Sequence, residues 1–172
     1  KQYIDEIKRQ EDLTNHTNMD QFLDSLSMKI IIQSFKENNF ERISQLTLRS
    51  NQFNLTTKRY NVSDILQISK SPKYLTYSVN LSDKFGDNGL ISIVILQIFE
   101  NFVEIDTWLM SCRVLNRGVE NFLMNHIVKD LISKGYSELK GFFIPTEKNS
   151  IIKNLLIDLG MNLADSNKNL YN

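Results

Sequence analysis

The densest group of side chains suited to chemistry is SCRVLNRGVE at 111–120. It stands where a strand-like run gives way to helical spacing. A helix start offers backbone N–H groups without internal partners and a partial positive charge, and together these accept a phosphate. Gly118 lets a ligand approach the backbone, and Asn116 tolerates a left-handed conformation better than most residues. Arg113 and Arg117 are placed to add charge-assisted bonds. The same spacing equally describes a strand-to-helix turn with two solvated arginines. Just upstream, strict alternation puts Glu104, Asp106, Trp108 and Met110 on one strand face, opposite Val103, Ile105, Thr107 and Leu109. A carboxylate there serves as a base only with a raised pKa; otherwise it is a solvated or capping group. Cys112, at the strand end beside Arg113, is either a thiol of lowered pKa able to act as a nucleophile or a small buried cysteine. A nucleophile also needs a base, and His126, on the apolar side of the next helix, is expected as a core histidine.

A second polar group, NQFNLTTKR at 51–59, carries amides, hydroxyls and two cations. Asn51, Gln52, Asn54, Thr57 and Arg59 suit hydrogen bonds to a polyol, a carboxylate or a phosphate, or simply cap an inter-helix loop. No metal is expected. Cys112, His16 and His126 make no zinc spacing, and DKFGDNG at 83–89 lacks the ligand spacing and distal Glu of a calcium loop, so it is expected as a hairpin turn.

The elements that position these groups follow from periodicity. A polar stretch at 1–17 is expected as a frayed helix or the tail of a preceding domain, set aside as linker, with one globular domain over 18–172. A short helix (Phe22, Leu23, Leu26) leads into a strand at 28–33. Phe40, Ile43, Leu46 and Leu48 mark a helix, and Ser63 is expected to cap another through Ile65, Leu66 and Ile68 that stops before Pro72. Runs at 74–81, 90–99 and 102–110 make an antiparallel meander whose middle strand is apolar enough to be covered on both faces. Val119, Phe122, Leu123, Ile127 and Leu131 then mark a helix ending at Gly135. A strand at 139–144, a helix over 149–159 ended by Gly160, and a weak last strand complete the order.

Composition excludes several classes. The 172 residues include 41% hydrophobic and 23% charged, with six Gly and two Pro, as in an ordinary globular domain. Twenty basic against twenty acidic side chains leave no net charge to drive binding to nucleic acid or an anionic membrane surface, so neither is expected as a partner. A single cysteine excludes an internal disulfide framework. The most apolar run, 90–99, is interrupted by Ser92 and Gln97 and is far below the ~20 residues needed to cross a bilayer. Sequons at Asn15, Asn54, Asn61 and Asn80 are attributed to an Asn-rich composition, and the cytoplasm is the expected location. Residue 1 is Lys and not Met, which points to a piece of a longer polypeptide.

The motif at 113–118 resembles the Q/R-x-x-G-x-G/A pyrophosphate loop of the GCN5-related N-acetyltransferase (GNAT) superfamily, with Asn116 replacing the first glycine. Asn149 and the Leu159-Gly160-Met161 sequence resemble the ends of that superfamily's last helix. More narrowly, LTLRSNQFNLTTKRY (46–60), DKFGDNGL (83–90), IDTWLMSCRVLNRGVE (105–120) and IPTEKN (144–149) resemble the carboxy-terminal domain of FkbH-like proteins. The resemblance implies an α+β, three-layer acyl-CoA N-acyltransferase fold, with a mixed, mostly antiparallel sheet of six or seven strands flanked by four helices. It implies binding of coenzyme A, acyl-CoA or a carrier protein's phosphopantetheine by Met110, Ser111, Cys112, Arg113, Val114, Asn116, Arg117, Gly118, Val119 and Asn149, the arm lying between the two strands that flank the 119–134 helix. Asp106, then Glu104, is implied as general base, and residues 51–59 as acceptor wall. FkbH-like proteins pair this domain with a haloacid-dehalogenase-type (subfamily IIIC) phosphatase domain and are similar to enzymes that load a glyceryl unit onto an acyl carrier protein. Both are therefore implied partners. The chain departs from the acetyltransferase pattern at Leu156, where a tyrosine commonly protonates the leaving thiolate. That departure leaves two functions open, an acyltransferase domain or a non-catalytic phosphopantetheine-binding module.

Overall fold

A computed structural model describes residues 2–14 and 18–172. Lys1, Asn15, His16 and Thr17 lie outside the described residues, and with them the sequon at Asn15 and the histidine at 16. The chain runs α1 (Gln2–Thr14), α2 (Met19–Ser25), β1 (Lys29–Gln33), α3 (Phe40–Arg49), α4 (Val62–Lys70), β2 (Tyr74–Asp83), β3 (Gly86–Ile98), β4 (Val103–Met110), α5 (Val119–Ser133), β5 (Leu139–Phe142), α6 (Leu155–Asp158), β6 (Leu163–Asp165) and β7 (Leu170–Tyr171). The strands form one seven-stranded sheet in the order β1-β2-β3-β4-β5-β7-β6. All neighbours are antiparallel except β4 and β5, which run parallel because the α5 crossover returns the chain in the same direction.

The β3 pattern explains the three layers. Positions 90–96 are all buried, and their side chains divide between the two faces. Ile91 and Leu96 join Ile105, Trp108 and the stripe Val119, Leu123, Ile127 and Leu131 of α5. Ile93 and Ile95 join Phe40, Ile43 and Leu46 of α3 with Ile65 and Ile68 of α4. No described helix is long and apolar enough to cross a membrane.

Several local expectations change. The α4 cap is Asn61 and not Ser63: the Asn61 side chain accepts from the Asp64 N–H at 3.0 Å while Asp64 accepts from the Asn61 N–H at 2.9 Å, a reciprocal box that a serine at 63 is too late to make. The hairpin turn shrinks to Lys84 and Phe85, since Gly86 already opens β3. The helix expected over 149–159 is a 3-10 turn (Ser150–Ile152) followed by the single turn α6, with the poor helix formers Asn149 and Asn154 at the joints. The last strand is a pair, β6 and β7. Phe122 is half exposed and His126 is exposed, its ring edge-on to Tyr77 at 6.1 Å, so His126 is no core histidine.

Residues 2–14, part of the stretch expected as a frayed helix or the tail of a preceding domain, are a docked helix. Arg9 of α1, buried, donates Nε to Asp83 at 2.7 Å and a second nitrogen at 2.9 Å, and Asp83 also accepts from the N–H groups of Phe85 and Gly86. Burial works to raise the Asp83 pKa, but the Arg9 pair and these two N–H groups outweigh it and hold the carboxyl below its ordinary value.

Candidate functional site

The site forms where β4 and β5 part. Their parallel ladder covers only Val103, Ile105 and the residue between, against Leu139, Lys140 and Gly141. It stops at Asp106, because Ile95 of β3 pairs with Thr107 while Leu96 pairs with Ile105, leaving Asp106 as the extra residue of a β-bulge. The bulge resets the alternation. Val103, Ile105, Trp108 and Met110 all join the α5-side core and Leu109 the opposite one, so the expected face of Glu104, Asp106, Trp108 and Met110 does not exist.

The opening between the strands is filled by the chain itself. The Leu55 N–H donates to the Trp108 carbonyl at 3.1 Å, the Met110 N–H to the Phe53 carbonyl at 3.2 Å, and the Ile144 N–H, just past β5, to the Leu55 carbonyl at 2.8 Å. The Thr56 hydroxyl adds a bond to the Asp106 carbonyl at 2.7 Å. Asn149, wholly buried, ties the segment in: its amide nitrogen donates to the carbonyls of Asn54 at 3.1 Å and Ile144 at 2.9 Å, and its oxygen accepts from the Thr146 N–H at 2.7 Å. A buried strand edge must satisfy its polar groups, and here residues 53–56 do so.

Two cavities flank this segment, and Phe53 borders both. One, of about 350 Å³, lies between the 113–118 loop, the start of α5 and the Ile152–Leu159 side of the last helical turns. The other, of about 810 Å³, lies between α3 and residues 147–151 and is lined by Arg42, Arg49, Asn51, Gln52, Cys112 and Lys148 among others. In the loop, Asn116 (φ 61°) and Gly118 (φ 75°) are both left-handed, and Gly118 caps α5. The Asn116 N–H donates to the Glu120 carboxylate at 3.3 Å. Val114 and Val119 are buried, so they offer a ligand only backbone. Arg113 stays exposed and donates to the Ser111 hydroxyl at 3.2 Å, whereas Arg117 swings toward α1 and lies 3.7 Å from both Glu6 and Asp83. Burial lowers the Arg117 pKa and Glu6 opposes that shift.

The expected bases are occupied or remote. Asp106 accepts from Lys58 at 2.5 Å, from the Tyr60 hydroxyl at 2.5 Å and from Thr107 at 3.0 Å, and it is buried outside both cavities. Burial, then the adjacent Asp106, pushes the Tyr60 pKa well above its ordinary value. Glu104 sits at the paired end, its pKa raised by burial against the opposing charge of Lys58. Cys112 is exposed in the larger cavity and is not a buried cysteine. Of the expected acceptor wall, Asn51 and Gln52 line that cavity, but Arg59 turns back to the carbonyls of Thr47 and Ser50 (2.7 Å for the latter) and to the Asn51 side chain at 2.7 Å, closing the C-terminus of α3. Burial lowers its pKa. Asn54 is buried, and its side chain accepts from the N–H of Thr57, a β-branched residue held at φ 59°. The residues missed are Phe53, the divider, and the cations Arg42 and Arg49, whose seven-residue spacing places them on one face of α3 and was readable. Among the described residues, no three His, Cys, Asp or Glu side chains gather as a metal site.

No family model and no curated protein matches the sequence. Solved structures do match. A domain from Methanocaldococcus jannaschii superposes with a TM-score of 0.65 at 17% identity, over 84% of this chain and 97% of that one. The GNAT domain of S. lividans PAT gives 0.61 at 13% identity, over 81% and 86%. The chain has the GNAT fold. Aminoglycoside N-acetyltransferase AAC(6')-Iy in complex with CoA gives 0.58 at 14% identity, over 78% and 88%. The seven-stranded sheet is thus a GNAT-fold sheet, and residues 53–56 lie in the opening where β4 and β5 part.

Proposed function

We propose that this domain handles acyl thioesters of phosphopantetheine, on coenzyme A or on an acyl carrier protein, and transfers the acyl group to an acceptor held in the larger cavity. The observation that carries this reading is the run from β4 through the 113–118 loop into α5, with left-handed Gly118 at the helix start opening onto the smaller cavity. Arg113 and the first-turn N–H groups suit a phosphate there. In the transfer, the acceptor's nucleophile bonds to the acyl carbon as the carbon–sulfur bond breaks, and the acceptor's proton ends on the departing thiolate. The narrower reading, loading of a glyceryl or related unit beside a haloacid-dehalogenase-type domain, rests on the FkbH-like sequence blocks. Arg42, Arg49 and Lys148 against the single carboxylate of Glu147 in the larger cavity support an anionic acceptor or acyl unit.

A non-catalytic module is the second reading, and two observations favour it. Leu156 is buried in the core, where a Cβ added at Gly141 would lie 3.0 Å from its Cδ1, so that position is plain packing. Asp106 is already saturated by Lys58, Tyr60 and Thr107. Calorimetric titration with coenzyme A, acetyl coenzyme A and phosphopantetheinylated carrier protein tests both readings. Binding is expected, and Arg113→Ala and Gly118→Asp are each expected to weaken it at least tenfold; the space around Gly118 is open, so the second change acts through its left-handed backbone and its charge. Turnover with an acceptor screen separates transferase from module, and a folded protein that binds none of the three ligands removes both.

A further inference from the structure

We propose that residues 53–55 are a displaceable strand that competes with the phosphopantetheine arm for one set of backbone partners, Phe53 being the wall that divides a single through-channel into two cavities. This rests on the thioester reading above. An arm anchored at the 113–118 loop reaches the larger cavity only through the opening where β4 and β5 part. The polar groups that line that passage are the Trp108 carbonyl, the Met110 N–H and the Ile144 N–H, and residues 53–55 hold all three. A pantetheine arm is itself an extended chain with two amides, so it can replace a short strand bond for bond. Asn149, the residue the resemblance gives to the arm, has its amide nitrogen on the Asn54 and Ile144 carbonyls instead. The Phe53 ring, 1% exposed and packed on Trp108 with centroids 6.1 Å apart, stands between the cavities.

The seated strand is also incompletely satisfied. Asn54 Nδ2 and Trp108 Nε1 are buried donors with no acceptor, although their residues sit on either side of the new ladder. Thr57, where the strand ends, holds a left-handed conformation that a β-branched side chain resists. Against these costs stand the burial of Phe53 and Leu55 and the Thr56 bond to the Asp106 carbonyl. Apparent affinity for the arm is therefore the intrinsic affinity reduced by the fraction of molecules in which the strand has left.

The test is calorimetry with coenzyme A on the whole chain and on two variants that loosen the strand, Phe53→Ala and the milder Thr56→Val, together with amide hydrogen exchange at Leu55 and Met110. Phe53→Ala is expected to bind on the order of tenfold more tightly and Thr56→Val about threefold. Coenzyme A is expected to speed exchange at Leu55 while Met110 stays protected, because the arm takes over its bond. Equal affinity in all three proteins, with Leu55 still protected in the complex, overturns the competition and leaves the thioester reading standing. Absence of binding to all three folded proteins removes the thioester reading, and the competition with it.

Discussion

Two segments that lie outside the regular elements of the sheet are held against it in opposite ways. α1 is docked by charge, through Arg9 on Asp83, whereas residues 53–56 are docked by backbone, through a short ladder to β4 and the Asn149 clamp. Each holds a group that the proposed thioester site would use: α1 holds the side chain of Arg117, and the strand takes the Met110 N–H and Asn149. A charge pair is sensitive to pH and to loss of either partner, while a backbone ladder exchanges one partner for another at little net change. The first arrangement is a lock and the second a seat.

The hardest way to break the comparison is at Asp83. Asp83→Asn leaves the buried Arg9 with only the partly exposed Glu6 carboxylate, 3.1 Å away, as counter-charge and is expected to cost about 3 kcal/mol in urea unfolding at neutral pH. Because the folded Asp83 pKa lies below its unfolded value, the wild-type contribution is complete above the unfolded pKa of about 3.9 and is lost as pH falls through the folded value. The variant should lack that acid-side loss. Equal acid sensitivity in both proteins would mean that Asp83 is not what holds α1.

Breaking the seat should cost less. Asn149→Ala removes three hydrogen bonds and strands the carbonyls of Asn54 and Ile144, for an expected loss of about 2 kcal/mol in the same unfolding measurement. A loss below about 0.5 kcal/mol would show that the ladder alone holds the strand.

How much of this was legible follows from the range of each interaction. The periodicity of β2, β3, β4 and α5 is local, so the meander and the loop ahead of α5 were readable, as was the resemblance to the fold. Arg9 and Asp83 are 74 positions apart, and nothing near either announces the pair. The Asp106 bulge is a single extra residue, yet it reverses the facing of Trp108 and Met110, and a two-residue period has no means of foreseeing it. Asn149 was singled out from its likeness to the fold family's motif, but its partner, the Asn54 carbonyl, is a backbone group that any residue would supply. Arg42 and Arg49 were readable as one face of α3. What made them part of a cavity was the path of residues 147–151.

A smaller effect concerns the carboxylate beside the seat. Tyr60→Phe removes a 2.5 Å bond to Asp106 but keeps the ring, and Lys58 and Thr107 still satisfy the carboxylate, so about 1 kcal/mol is expected in thermal unfolding. A much larger loss would mean that the three donors act as a unit.

The smallest effect concerns Glu6, which faces both arginines. Glu6 accepts from Arg9 at 3.1 Å, approaches Arg117 only to 3.7 Å and is about one-third exposed, whereas Asp83 is fully enclosed. Glu6→Gln keeps an oxygen to accept from Arg9 and should change stability by no more than about 0.5 kcal/mol, as for most solvent-exposed ion pairs. Arg117 remains charged in either case, as a guanidinium does in proteins at neutral pH. With one of its two acidic neighbours neutral, the guanidinium has less to hold it on the α1 side, and its own backbone belongs to the 113–118 loop. Coenzyme A affinity should rise about twofold to threefold, most clearly at low ionic strength where the added charge is least screened. An unchanged affinity at every salt concentration would mean that Asp83 alone fixes Arg117. The lock would then reach into the 113–118 loop itself, and α1 would have to be counted among the elements that set how that loop meets the proposed ligand.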